Sequence, residues 1–333
     1  MALKLAFTGA GYISKIHAAS AKKLAEAELV AVVNHKPESM QAFAQEFGIA
    51  RQYATTAEML KAGGVDAVII STPNYLHAPE AIAALKAGVH VMVEKPMAMN
   101  AAEAKAMLEA GQDSGAVLMV AHCWRFEPEV LWLREQVRAG KVGKIIRTKG
   151  YGVHVNWGPG GWFVQKEFAG GGALADMGIH AIDTARFLMG DPQPVSVYAR
   201  IGTHYKDFDV DDTGVLIVNW DNNVTSYIES GWWQPHADSA EAGTQLYGSL
   251  GMGQLFPTGL RLLGDKVVES GFPHPRGEGA NQAMYDAQLA YFAECIREKR
   301  APNPGGLEGW TNMKVVDAAY ASARIGQAVE IKP

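Results

Sequence analysis

Cysteine is scarce in this chain. Among 333 residues only Cys123 and Cys295 occur, far apart and without the spacing of metal ligands. That excludes a disulfide framework, speaks against a zinc site and fits a reducing compartment. A run of about 18 apolar residues is also missing, so no segment reads as a transmembrane helix. There is no surplus of basic residues: the net charge is -5, which argues against nucleic acid or a membrane surface as the principal partner. No basic-then-apolar leader precedes the first apolar run, and the simplest expectation is a cytoplasmic protein. What remains is ordinary for a soluble globular chain. Hydrophobic residues make up 48% and charged residues 20%, and the length suffices for two domains with separate cores.

The first of these begins at once. Leu3 to Thr8 is an apolar run of strand character, followed by Gly9-Ala10-Gly11-Tyr12-Ile13-Ser14 and then by helix-forming residues. A strand, a glycine turn and a helix N-terminus together make a pyrophosphate site. Gly9 permits the turn, Gly11 lets the backbone approach the phosphates, and the first helical amides face the negative charge. Ser14 is small enough for helix to pack on strand. A glycine-rich turn without a ligand is the alternative, but its place in a βαβ rhythm favours the ligand.

That rhythm continues with strands at Glu28–Val33, Val65–Thr72, Val89–Val93 and Val117–Ala121, separated by helices such as 37–47, 79–87 and 101–114. All-apolar strands of this kind predict a doubly wound parallel sheet covered on both faces. After the second strand stands Asn34, where an acid usually binds the ribose 2′-hydroxyl of NAD. His35 and Lys36 follow and could meet a 2′-phosphate, which tilts the expectation slightly towards NADP. Ser71-Thr72-Pro73-Asn74, with His77 one turn on, lies beyond a strand's carboxyl end, where open α/β sheets hold ligands. For His77, capping or packing is as good a reading as cofactor contact. Glu94-Lys95-Pro96 ends the next strand, and Pro96 restricts the backbone of Lys95 and so where its ammonium points. Arg125 in "HCWRFEPEV" reads equally as a substrate contact or an ion-pair partner of Glu127 or Glu129.

Around Gly140 the pattern changes to longer strands of alternating polarity: 145–155, 195–201, 215–220, 224–230, 244–247, 253–256 and 260–263. Asp221-Asn222-Asn223 turns a hairpin between two of them. These predict a largely antiparallel sheet with helices on one face. Trp220, Trp232 and Trp233 are bulky for a solvated sheet, so self-association through its open face is expected. Between these strands, Gly170-Gly171-Gly172 opens a helix over about 173–189. On it Asp176 and His180 are four residues apart and share a face, so the carboxylate can orient the imidazole. Asp183 shows no clear partner. No third ligand accompanies the pair, so no metal is expected.

The combination of "GAGYIS" (9–14), "STPNYLH" (71–77), "EKP" (94–96), "GGGALADMGIH" (170–180) and the closing "YASARIGQAVEIKP" resembles the glucose-fructose oxidoreductase / inositol dehydrogenase (Gfo/Idh/MocA) family over essentially the whole chain. The resemblance implies a Rossmann domain at 1–122 and a substrate and oligomerisation domain at 123–333, with the final helix near 307–326 packing back on the first. Nicotinamide and substrate are expected in the cleft. It carries the catalytic roles onto Lys95, Asp176 and His180, and implies a cis Lys95–Pro96 bond. Cofactor contacts are expected from Gly9, Gly11, Tyr12, Ile13, Asn34, His35, Lys36, Ser71, Thr72, Pro73, Asn74, His77, Glu94, Lys95 and Trp162. Substrate contacts are expected from Arg125, Tyr151, His154, Trp233 and His236. Phe163 stands where many NADP-using relatives have Arg, which weakens the lean to NADP. The implied reaction is hydride transfer between nicotinamide and a secondary carbinol carbon of a sugar or polyol, in a homodimer or homotetramer. Two alternatives use the same architecture: a glycosidase working by transient oxidation on tightly held NAD, and a non-catalytic dinucleotide sensor.

Overall fold

Strands without polar residues can be covered on both faces, and Ala67–Ile70 and Leu118–Val120 are buried along their whole length. The computed structural model describes residues 2–237, 241–264, 268–272 and 280–332. The first elements are β1 (Leu3–Thr8), α1 (Tyr12–Lys23), β2 (Ala27–Val33), α2 (Pro37–Phe47), β3 (Arg51–Tyr53) and α3 (Thr56–Ala62). Then come β4 (Ala67–Ile70), α4 (Asn74–Lys86), β5 (His90–Val93), α5 (Ala101–Ser114) and β6 (Leu118–Val120). Their strands form one sheet in the order β3-β2-β1-β4-β5-β6, parallel throughout. The order reverses between β1 and β4, so the glycine turn after β1 stands at the topological switch point. Local chemistry agrees with the elements. Thr55 and Glu58 form a reciprocal capping box on α3, and Asn100 caps α5.

The chain continues with a 3₁₀ turn (Cys123–Phe126), α6 (Pro128–Arg138), β7 (Ile145–Val155), a second 3₁₀ turn (Gly161–Val164) and α7 (Lys166–Ala169). A π-helical turn (Leu174–Gly178) leads into α8 (Ile179–Leu188). Strands β8 (Pro194–Gly202), β9 (Thr213–Trp220), β10 (Thr225–Gln234), β11 (Ala242–Gly248), β12 (Gly251–Leu255), β13 (Gly259–Leu262) and β14 (Val268–Gly271) follow. The last elements are α9 (Ala280–Glu298), α10 (Gly306–Ile325) and β15 (Val329–Glu330). The second sheet runs β14-β13-β12-β11-β7-β10-β9-β8-β15. Its pairs are antiparallel except β7 with β10, which are parallel because β7 leaves the sheet through the segment that carries α8. The chain divides into two compact units, Met1–Cys123 with Glu278–Trp310 and Trp124–Gly277 with Thr311–Pro333.

In the second unit glycine brings helix to sheet. A Cβ at Gly152 would stand 2.6 Å from the Met177 carbonyl oxygen, so the π turn lies directly on β7. The tryptophan expectation is corrected here. Trp220 and Trp232 are buried, because Trp220 is in phase with buried Leu216 and Val218, and Trp232 with buried Ile228. Trp233 is half-buried. The open face instead carries Tyr198, Ile217 and Tyr227, which are in register across β8, β9 and β10 and all exposed.

Candidate active site

In the first unit, β1 ends at Gly9, whose φ of +90° suits glycine, and a Cβ there would lie 2.6 Å from the Ser71 oxygen. At Gly11 the situation is opposite: a Cβ would meet nothing within 4 Å. Gly11 is the N-cap of α1, makes no side-chain cap, and no acid occupies the first turn. The N-terminus of α1 is thus uncapped, with open space beside Gly11 at the positive end of a helix dipole, an arrangement that suits a pyrophosphate. The residues present fit a dinucleotide.

Around this turn the hydroxyls are locked. Ser14 Oγ lies 2.7 Å from Ser71 Oγ, which donates to the Thr8 carbonyl. Thr8, Thr56 and Thr72 all donate their hydroxyls to the Glu80 carboxylate, at 2.8, 2.8 and 2.9 Å. Nothing in the spacing of Glu80 singles it out, since its partners come from three other segments. Pro73 is half-buried, Asn74 buried, and Tyr12 82% exposed. Asn34 directs its amide to the Lys36 carbonyl at 3.2 Å, while His35 and Lys36 stand exposed.

His77 is buried, with its ring nitrogens 2.9 Å from the Pro96 oxygen and 2.8 Å from the Thr72 oxygen. Burial pushes its pKa below the ordinary value, and the two carbonyls oppose that shift. The ring thus ties the 71–77 loop to the cis Lys95–Pro96 turn. It packs rather than presents a free nitrogen. Glu94 is similarly engaged. One oxygen lies 2.6 Å from His17 Nε2 and the other accepts the Lys95 amide. Burial alone would raise the Glu94 pKa, but the hydrogen bond and charge of His17, with Lys95, hold it below the usual carboxylate range. His17 escaped notice because its partner is 77 residues away. Lys95 itself is half-buried at the carboxyl end of β5. Burial pushes the Cys123 thiol up to about 12, which makes it a poor nucleophile.

In the second unit Asp176 sits in the π turn and His180 in the first turn of α8, where a continuous α-helix was expected. Asp176 Oδ2 accepts the Trp232 indole N–H at 3.0 Å. His180 stacks on Trp124, ring centroids 4.4 Å apart and planes 17° from parallel. Asp211, which burial holds above the ordinary carboxylate pKa, receives the amides of Gly172 and Leu174 and the Tyr320 hydroxyl, and so fixes the start of the π turn.

Arg125 and Tyr151 are two of the expected substrate contacts. Arg125 is 2% exposed, and its guanidinium forks onto Asp183 at 2.7 and 2.8 Å and reaches Asp191 at 2.8 Å. A buried fork filled by two carboxylates is a structural ion pair. Asp183 thereby gains the partner it lacked in sequence. Tyr151 alternates with Gly150 and Gly152, which face Ala181 and Met177, so its side chain points to the other sheet face. His154 stacks on Trp157, and Glu241 accepts from the Trp157 indole at 2.6 Å and lies 3.1 Å from His154 Nδ1. Trp162 stacks on Phe163, Lys206 lies over the Trp233 ring, and His236 is exposed.

A switch-point glycine turn under an uncapped helix defines the first unit as a dinucleotide-binding Rossmann domain. Residues 3–122 match the family model described as an oxidoreductase family with an NAD-binding Rossmann fold, and residues 130–253 match the GFO/IDH/MocA C-terminal domain. The chain belongs to this oxidoreductase family. It is 30% identical to D-glucoside 3-dehydrogenase of Escherichia coli, over 99% of this chain and 97% of that one. It is also 30% identical to D-xylose 1-dehydrogenase (NADP(+)) 2 of Haloferax volcanii, over 98% of each. Among solved structures it resembles an aldose-aldose oxidoreductase from Caulobacter crescentus complexed with glycerol, with a TM-score of 0.86 at 28% identity, covering 99% of this chain and 100% of that one.

Proposed function

We propose that this protein is an NAD(P)-dependent dehydrogenase or reductase acting on a secondary hydroxyl or ketone of a sugar, polyol or sugar derivative. The observation that carries the reading is Lys95 after the carboxyl end of β5, one strand removed from the switch point, in a chain whose full length aligns with sugar dehydrogenases. The first unit serves as the dinucleotide domain and the second as the substrate domain. The backbone at Gly9, Gly11, Tyr12 and Ile13 holds the pyrophosphate, and the 71–77 loop and Glu94-Lys95 border the rest of the cofactor. When bound, the nicotinamide supplies the hydride acceptor or donor.

The chain's own residues manage the proton. In the oxidation direction His180 takes it from the reacting hydroxyl, and in reduction returns it. Lys95 donates a hydrogen bond to the same oxygen and stabilises the negative charge that grows there. Asp176 orients His180. Proton transfer by a placed base is worth roughly 10²–10⁴-fold, and an oxyanion donor about 10²–10³-fold. Between cofactors NADP is slightly favoured, since no acid follows β2 and His35 and Lys36 are exposed there. The exposed Tyr198, Ile217 and Tyr227 support a homodimer or homotetramer built on the open sheet face, and the low cysteine content supports a cytoplasmic location.

A panel of free sugars, polyols and glycosides, assayed with both nicotinamides, tests the reading. Net reduced nicotinamide with a free sugar or polyol supports it. Glycoside cleavage on co-purified NAD without net reduction, or dinucleotide binding without turnover, overturns it.

A further inference from the structure

We infer that Trp124 is a positioning residue for His180: its indole covers one face of the imidazole and fixes the ring plane, and the adjacent ion pair keeps it there. The inference rests on the reading of His180 as the proton-transfer group.

With centroids 4.4 Å apart and planes 17° from parallel, the indole lies flat on the imidazole. The ring nitrogens lie in the plane of the ring, so a reacting hydroxyl can reach them only edge-on. Rotation about the ring's last torsion, which is otherwise soft, would drive the imidazole edge into the indole. His180 is nearly buried, so little solvent competes for that position.

The indole is itself restrained. Phe256 meets it edge-on at 6.3 Å, an attractive geometry for aromatic rings. The next residue, Arg125, forks onto Asp183, three positions after His180 on α8. Asp183 also accepts the Asn312 amide at 2.7 Å, and the Phe187 ring lies under the Arg125 guanidinium. The 3₁₀ turn carrying Trp124 is thus tied to the helical turn that carries His180. Displacing that turn as a whole would disturb a buried ion pair, which holds the backbone that presents the indole in place.

The test compares Trp124→Phe, which keeps a flat ring, with Trp124→Leu and Trp124→Met, which keep apolar volume without one. The probes are D-glucose, myo-inositol and methyl α-D-glucopyranoside with NAD and NADP, and kinetics follow on whichever pair is turned over. The expected result is a kcat lowered about 10–100-fold in the Leu and Met variants, with KM and dinucleotide affinity within about threefold, and most activity restored by Phe. Equal activity in all three, or a parallel change in kcat and KM, overturns the inference.

A readout independent of turnover guards against silence from the probes. The Cε1 proton of His180, assigned by its disappearance in His180→Ala, is expected upfield of an exposed histidine because of the indole ring current. It should return downfield in Trp124→Leu. An unshifted resonance in the unsubstituted protein contradicts the stacking outright. Should His180→Ala retain turnover, the proton-transfer reading fails. Should His180→Ala be inactive while Trp124→Leu is not, only this inference fails.

Discussion

The indole N–H of Trp232 donates to the Asp176 carboxylate over 3.0 Å from a fully buried ring. A hydrogen bond to a charged acceptor is shorter and stronger than a neutral one, and it fixes the carboxylate's orientation. Trp232→Phe removes the N–H together with the second ring of the indole, so a melting curve accompanies the kinetics. The variant is expected to lower kcat about tenfold, equivalent to about 1.4 kcal/mol, with dinucleotide affinity unchanged. Steady-state kinetics check this, and a kcat within twofold of the unsubstituted protein would show that Asp176 does not depend on the indole.

The two glycines of the first turn should fail differently under one substitution. Gly9→Ala puts a Cβ at positive φ and into the Ser71 carbonyl, so both melting temperature and dinucleotide binding should fall. At Gly11 φ is -86° and the added methyl meets no protein atom. Gly11→Ala should therefore melt like the unsubstituted protein yet bind dinucleotide at least tenfold more weakly. Thermal scans and a fluorescence titration separate the two. Unimpaired binding by Gly11→Ala would place the pyrophosphate elsewhere.

Arg125→Met leaves Asp183 and Asp191 without the cation that neutralises them. Removing one partner of a buried pair costs about 3–5 kcal/mol, so a large drop in stability is expected from denaturant unfolding. In whatever fraction remains folded, substrate KM should change little. A stable variant with a greatly raised KM would restore Arg125 as a substrate contact.

The same residue shows where sequence reading stops. Arg125 invites pairing with Glu127 or Glu129 because they are near in sequence, and nothing nearby announces the two carboxylates it also holds, 58 and 66 residues on. Packing of a helix on a turn decides such a pair, and periodicity does not report it. Glu80 and His17 escaped for the same reason. Apart from β3, the parallel strands were legible because each is a short apolar run between glycine turns and helices. β3, α3, α6 and α9 were not, being short, polar or of mixed pattern. The hairpin at 221–223 was legible from its turn residues, and β9 and β10 do pair antiparallel there. The parallel pairing of β7 with β10 is a matter of chain path, which alternation along one strand does not encode. Trp220 and Trp232 were expected on the open face from bulk alone, when their phase against Leu216 and Ile228 puts them inside.

Glu94 makes acid sensitivity predictable in sign. Its folded pKa is depressed below the ordinary 4.5 by His17 and Lys95, so its ionised form stabilises the fold above that value. The contribution disappears as pH falls through the depressed pKa. Glu94→Gln is therefore expected to melt lower than the unsubstituted protein near neutrality, with the gap closing as pH falls below the ordinary 4.5 and through the depressed pKa. Melting curves against pH check this. A gap that widens on acidification would reverse the assignment.

The proposed function gives His180 the proton transfer and Lys95 the stabilisation of the developing charge. The most direct measurement is turnover of His180→Ala and Lys95→Ala with a sugar or polyol that the unsubstituted protein oxidises, each alongside a dinucleotide titration. The account predicts that both variants bind dinucleotide normally and lose at least a hundredfold in kcat. Near-normal turnover in either variant, with binding intact, would contradict it.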